Sequence, residues 1–168
     1  MINKIINNAS NVSLEKQNGK FLADKSYAFD TVFFIAKFIL HNSVNNQFNK
    51  LSLREKSIEY IEDIFQLKKG TAGAVNYFLE TINLLEFSNV LVKIDHNNYL
   101  IKDREILEYI TETPENAYIF IYLITYQTFK NDNLLPLFDK FCYAKSIYEK
   151  SVYIKDTYKE FCSKSVSI

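Results

Sequence analysis

Four side chains of this sequence could ligate a soft metal: His41, His96, Cys142 and Cys162. They are scattered, and no pair has the short spacing that a zinc site builds on. Neither cysteine sits in the local pattern of a cysteine nucleophile, and no Gly-x-Ser-x-Gly is present. A restriction-type nuclease typically carries an acidic residue and then an Asp/Glu-x-Lys pair that holds a metal and its water. No Asp-x-Lys or Glu-x-Lys occurs, and Asp156-Thr157-Tyr158-Lys159 is one residue too long. Phosphate-cradling motifs of the Gly-x-x-x-x-Gly-Lys and Gly-x-Gly-x-x-Gly types are absent too. Gly70-Thr71-Ala72-Gly73 puts two glycines at a helix start, where amides can hold an anion. A tight turn with a close helix crossing explains them better. The residues therefore predict no catalytic centre, no metal and no cofactor. What remains is binding chemistry: Lys68, Lys69, Lys93 and His96 as cationic contacts, Thr71 and Tyr77 as hydroxyl donors, and Asn76 as an amide able to pair with an adenine edge.

The elements that position these residues lie within 52–101. Ser52-Leu53-Arg54-Glu55 has the form of a capping box. Leu53, Ile58, Ile61, Ile64, Phe65 and Leu67 then recur mostly at spacings of three and four, as on a helix with one buried face. Lys68 and Lys69 suit the negative end of that helix, and Gly70 suits its left-handed terminus. Thr71 can cap a second helix at once, with Val75, Phe78, Leu79, Ile82 and Leu85 as its apolar face. Two helices joined by so short a turn form a helix-turn-helix pattern. Val90 to Ile94, the turn run Asp95-His96-Asn97-Asn98, and Tyr99-Leu100-Ile101 follow as a short hairpin. Asparagine there tolerates the positive φ of tight hairpin turns.

This order, with Leu84-Leu85-Glu86-Phe87 running into Val90 and Leu91, resembles the winged helix-turn-helix superfamily. The resemblance implies a mainly α fold: a winged-helix core, a small β-hairpin wing and a C-terminal helical extension. It also implies that the second helix of the pair enters the major groove while the wing touches the backbone. On that basis Lys68, Lys69, Thr71, Asn76, Tyr77, Lys93 and His96 are the expected contacts to double-stranded DNA.

The flanking chain reads as support. Residues 1–23 are Asn-rich and read as an arm, or as a hairpin about Asn18-Gly19. Before Ser52 six lysines face three acidic residues, so the arm could reach a phosphate backbone. Residues 27–40 predict a helix through Phe29, Val32, Phe33, Ala36, Ile39 and Leu40, closed by His41-Asn42. A polar loop, ending in a minimal strand, leads to Ser52. Asp103 can cap a helix over 104–110. Thr113-Pro114-Glu115 opens another, to about Lys130, that is apolar nearly all round and so belongs in a core or an interface. Residues 134–161 read as helix again. The expected organisation is an arm over 1–23, a winged-helix domain over 24–103 and an aromatic-rich extension over 104–168. Residues 113–161 would contact a second copy or a partner protein.

Composition bounds the function. With 48% hydrophobic residues in 168, the chain can bury a core, and three Gly with two Pro disfavour an all-β fold. No secretory signal opens it and no apolar run is long enough to cross a membrane, so a cytoplasmic protein with reduced thiols is expected. Twenty basic residues balance twenty acidic ones. Between Leu53 and Asp103 six basic residues meet eight acidic ones, and the second helix has no Lys or Arg. Because phosphate neutralisation dominates DNA affinity, this weighs against tight binding by the module alone. Two functions are therefore expected. The first is a non-catalytic DNA-binding protein, regulatory or the recognition subunit of a DNA-processing or defence assembly. The second is a winged-helix assembly subunit that binds no nucleic acid.

Overall fold

The computed structural model describes residues 1–12, 28–65, 72–133 and 135–136, with the side chains of residues 28–31, 64–65 and 72–77 set aside. The Asn18-Gly19 turn, Lys68, Lys69, Thr71, both cysteines and, apart from residues 135 and 136, the helix expected over 134–161 lie outside these residues.

The fold is mainly helical. Its elements run α1 (Ile2–Asn8), α2 (Ala28–Asn42), β1 (Gln47–Asn49), α3 (Lys50–Phe65), α4 (Ala72–Phe87), β2 (Leu91–Lys93), β3 (Asn98–Ile101), α5 (Arg104–Glu112) and α6 (Pro114–Asn131). The helix α2 is the hub, packed against α3, α4, α5 and α6. It buries Val32, Phe33, Ile35, Ala36 and Ile39, so its apolar stripe is wide enough to face neighbours on several sides. Phe34 and Phe38 at its margin meet the ring of Tyr60 from α3. Burial raises the pKa of the Tyr60 phenol.

The strand β1 runs straight into α3. The expected capping box at Ser52 does not form, because the helix starts three residues earlier than such a box requires, at Lys50. Asn49, the last residue of the strand, accepts from the amides of Leu51 and Ser52 at 3.0 and 3.1 Å and so caps the helix. Before β1 the chain reverses through Asn45 and Asn46, at φ 53° and 59°. Val44 and Gln47 exchange both backbone hydrogen bonds across them, as in a two-residue hairpin loop with a left-handed pair.

The sheet is antiparallel in the order β1-β3-β2. Phe48 faces Tyr99 across β1 and β3, and their rings stack at 5.5 Å between centroids. Phe48, Leu91, Tyr99 and Ile101 are buried beneath the helices. The 95–98 turn differs from expectation: none of its asparagines has positive φ among the described residues. Instead Asp95 closes it, its Oδ1 accepting from the amides of Asn97 and Asn98 at 3.0 Å each.

The N-terminus also departs from the expected arm. Residues 2–8 form α1, which lies against α6. Ile5, Ala9 and Val12 are buried in the common core. At the other end Asp103 caps α5 through the Ile106 amide, and Thr113 caps α6 through the Asn116 amide, with Pro114 in the first turn. The helix α6 buries Phe120, Ile121, Ile124 and Phe129. Thr125 and Thr128 are buried with them because each hydroxyl donates to the carbonyl four residues back, of Ile121 and Ile124. Tyr118 and Tyr122, one turn apart, stay on its exposed side.

Candidate nucleic-acid interface

The hairpin β2–β3 holds two of the expected contacts in described form. Lys93 and His96 are both exposed. Lys93 is the last residue of β2 and the cross-strand partner of Tyr99, while His96 lies in the turn. Asn76 and Tyr77 fall within α4, whose described outer residues include exposed Glu80 and Asn83.

Two cations outside the seven expected contacts, Lys50 and Lys102, join the hairpin. Lys50 donates its amide to the Asn97 carbonyl at 2.7 Å, which ties the start of α3 to the hairpin turn. Its ammonium lies 6.0 Å from the centre of the Tyr99 ring, so Lys50 and Lys93 both neighbour that ring. Lys102, just beyond β3, is exposed, and strand alternation places it on the face of Leu100 and Val92. The signal for both was their position at strand ends, which sequence reading could place only loosely. Arg104 is nearby but engaged, donating to Asn46 Oδ1 at 2.7 Å and to Glu108 at 2.8 Å.

Anionic groups shape the same region. Hydrogen bonds from the Asn98 side chain, then from the Asn97 and Asn98 amides, hold the Asp95 carboxyl below its ordinary pKa. A fixed negative charge therefore stands between Lys93 and His96 in sequence. The Tyr99 hydroxyl donates to Glu86 at 3.4 Å. Burial, with the charge and hydrogen bond of Glu86 adding to it, pushes the Tyr99 pKa up to about 12, so this phenol is a fixed neutral donor.

The face of the sheet turned away from the helices is mixed, with exposed apolar side chains set among Gln47, Asn49, Asn98 and Lys102. Val44 pairs with Gln47, Gln47 with Leu100, and Leu100 with Val92, so these four side chains share one side in one row. Val44 is 73% exposed, and Ile94, two residues along from Val92, is 51% exposed.

Lys4, expected in an arm that could reach phosphate, is used elsewhere. It pairs with Asp103 at 3.1 Å and Glu105 at 2.8 Å. Those partners, Glu105 foremost, raise its pKa. Among the described residues no group of three or more His, Cys, Asp or Glu could hold a metal ion. No helix among them is long and apolar enough to cross a membrane. No protein-family model, curated protein or solved structure matches this chain.

Proposed function

We propose that this chain is a winged helix-turn-helix protein that binds double-stranded DNA, as a regulator or as the recognition subunit of a DNA-processing or defence assembly. The observation that carries the reading is the order α2-β1-α3-α4-β2-β3 with its sheet order β1-β3-β2. A helix, an edge strand, a helix pair and a returning hairpin are the parts that a winged helix requires. In this reading α4, with Asn76 and Tyr77, faces the major groove, and Lys68, Lys69 and Thr71 flank its start. Since α4 has no Lys or Arg, phosphate neutralisation falls to the hairpin side, through Lys50, Lys93, His96 and Lys102.

A second reading, a winged-helix assembly subunit without nucleic acid, is favoured by the exposed apolar side chains Val44, Val92 and Ile94 on the outer side of the sheet. Exposed apolar patches mark protein contacts more often than DNA contacts. A homodimer or partner contact through residues 113–161 is compatible with both readings.

Binding of mixed-sequence duplex DNA across a salt series, with the mass of the chain in solution recorded alongside, tests the choice. The DNA reading expects log K to fall against log salt with a slope of about −3, made shallower by about one unit in Lys93→Ala or Lys102→Ala. No binding at low salt, or binding unaltered by both substitutions, would overturn it in favour of assembly.

A further inference from the structure

The N-terminal helix meets the base of the β2–β3 hairpin through Lys4, which pairs with Asp103, and through Asn8, which reaches both sides of the base. The Asn8 side chain donates to Asp103 Oδ2 at 2.9 Å. Its backbone carbonyl accepts from the Asn89 side chain at 2.7 Å. Asn89 lies two residues before β2, and Asp103 two residues after β3. These are the two legs of the hairpin, and Asn8 holds both. The legs are also bonded to each other, since the Val90 carbonyl accepts from the amides of Lys102 and Asp103 at 2.9 and 3.2 Å.

Each partner is committed to this geometry. Asn89 has φ 60° in the turn after α4, a left-handed conformation that asparagine tolerates. Asp103 serves three groups at once: Asn8, the Lys4 ammonium and the Ile106 amide that it caps. The Asn131 side chain fixes the other end of the segment, donating to the carbonyls of Ser10 and Val12 at 3.1 and 2.7 Å. A helix of seven residues has little stability of its own. It is held by its tertiary contacts: the burial of Ile5 and Ala9, the Asn131 bonds and the polar grip at the hairpin base.

We infer that Asn8 is a positioning residue for the β2–β3 hairpin, and that α1 acts as a staple across its two legs. The consequence for DNA rests on the function proposed above, because a loosened hairpin would present Lys93 and His96 less well. The staple itself is a property of the free chain. A helix that merely covered the core would give the same burial of Ile5 and Ala9, and would leave the hairpin indifferent to the Asn8 side chain.

Amide hydrogen exchange of the full chain, resolved residue by residue, separates the two. Asn8→Ala and Asn89→Gly each remove one leg of the grip, and the glycine keeps the positive φ. In both variants exchange at Ile94 and Lys102, whose amides are bonded within the hairpin, should quicken about five- to tenfold, as for loss of one part-buried hydrogen bond. Amides in the middle of α2 and α6 should be unchanged. The exchanged pair Asn8→Asp with Asp103→Asn reverses donor and acceptor, keeps a cap for Ile106 and a carboxylate for Lys4, and should restore slow exchange. Faster exchange confined to α1, or equal in α2, α6 and the hairpin, or unrelieved by the exchanged pair, would overturn the staple. If the exchange pattern appears while the parent chain fails to bind duplex DNA, the staple stands and the DNA reading falls.

Discussion

At the scale of single residues, the sheet depends on one aromatic pair. Phe48 and Tyr99 are 51 positions apart, yet each is nearly inaccessible and their rings lie within 10° of parallel. Replacing Phe48 by Ala removes the stack and leaves a cavity between β1 and the helices, which should cost about 3–5 kcal/mol in urea unfolding. Tyr99→Phe keeps the ring and loses only the bond to Glu86, so it should cost under about 1 kcal/mol at neutral pH. Comparable losses in both variants would mean that the hydroxyl, and not the stack, holds the strand. Sequence reading placed Tyr99 in a strand from its neighbours but could not pair it, since nothing local to either residue specifies a partner so distant. Lys50 at the hairpin was hidden for the same reason. Its relation to the hairpin exists only once Asn97 is bonded to its amide.

At the scale of elements, the legible parts were those whose signals are local. The Thr113-Pro114-Glu115 start of α6 and the Asp103 cap of α5 are chemical statements made within four residues, and the structure has both. The cap of α3 misled because the motif at Ser52 stands three residues beyond Asn49, the residue that caps the helix. Ser52 has the better motif, with Glu55 following it, but the strand ends at Asn49 and the helix begins there. Which of the two acts is decided by β1 pairing with β3, a tertiary event. Asn49→Ala should therefore destabilise the chain by about 1 kcal/mol, while Ser52→Ala should change it by less than about 0.5 kcal/mol. The opposite ranking in denaturant titrations would restore the capping box. The helix α1 was illegible on different grounds. Seven residues are too few to display a period, and the helix exists because Ile5 is buried against the body while Asn8 is held at the hairpin base.

At the scale of the whole molecule, a formal charge of zero conceals a pattern that the pH dependence of stability should expose. Five shifted groups bound it, Asp95 and Asp103 on the acid side and Lys4, Tyr60 and Tyr99 on the alkaline side. Burial opposes ionisation of Asp103, but hydrogen bonds from Asn8, Lys4 and Ile106 prevail and its pKa falls below the ordinary 3.8. A carboxyl shifted down contributes stability that is complete above its unfolded pKa and is lost as pH falls through the folded one. Lys4 is shifted up from 10.5, so the contribution of its ion pairs is complete below that value and is lost as pH rises through the folded one. Tyr99, shifted from 10.0 to about 12, stabilises the fold as a neutral phenol. Its contribution is complete below pH 10 and is lost as pH climbs toward about 12, because the unfolded chain ionises first. These groups together predict a plateau from about pH 4 to about pH 10, with a fall on each side. The two limbs belong to different places. Asp103→Asn keeps the cap for Ile106 but removes the titrating group, so its stability relative to the parent should rise as pH drops below 4, about where the unfolded carboxyl titrates. Tyr99→Phe should make the alkaline limb shallower, leaving the shares of Lys4 and Tyr60, and leave the acid limb alone. Urea titrations of the three chains between pH 2 and pH 12 read both differences. An alkaline limb unchanged by Tyr99→Phe would show that the phenol is not held neutral by burial beside Glu86. The stacked centre of the sheet would then be wetter than the packing of Phe48 on Tyr99 requires.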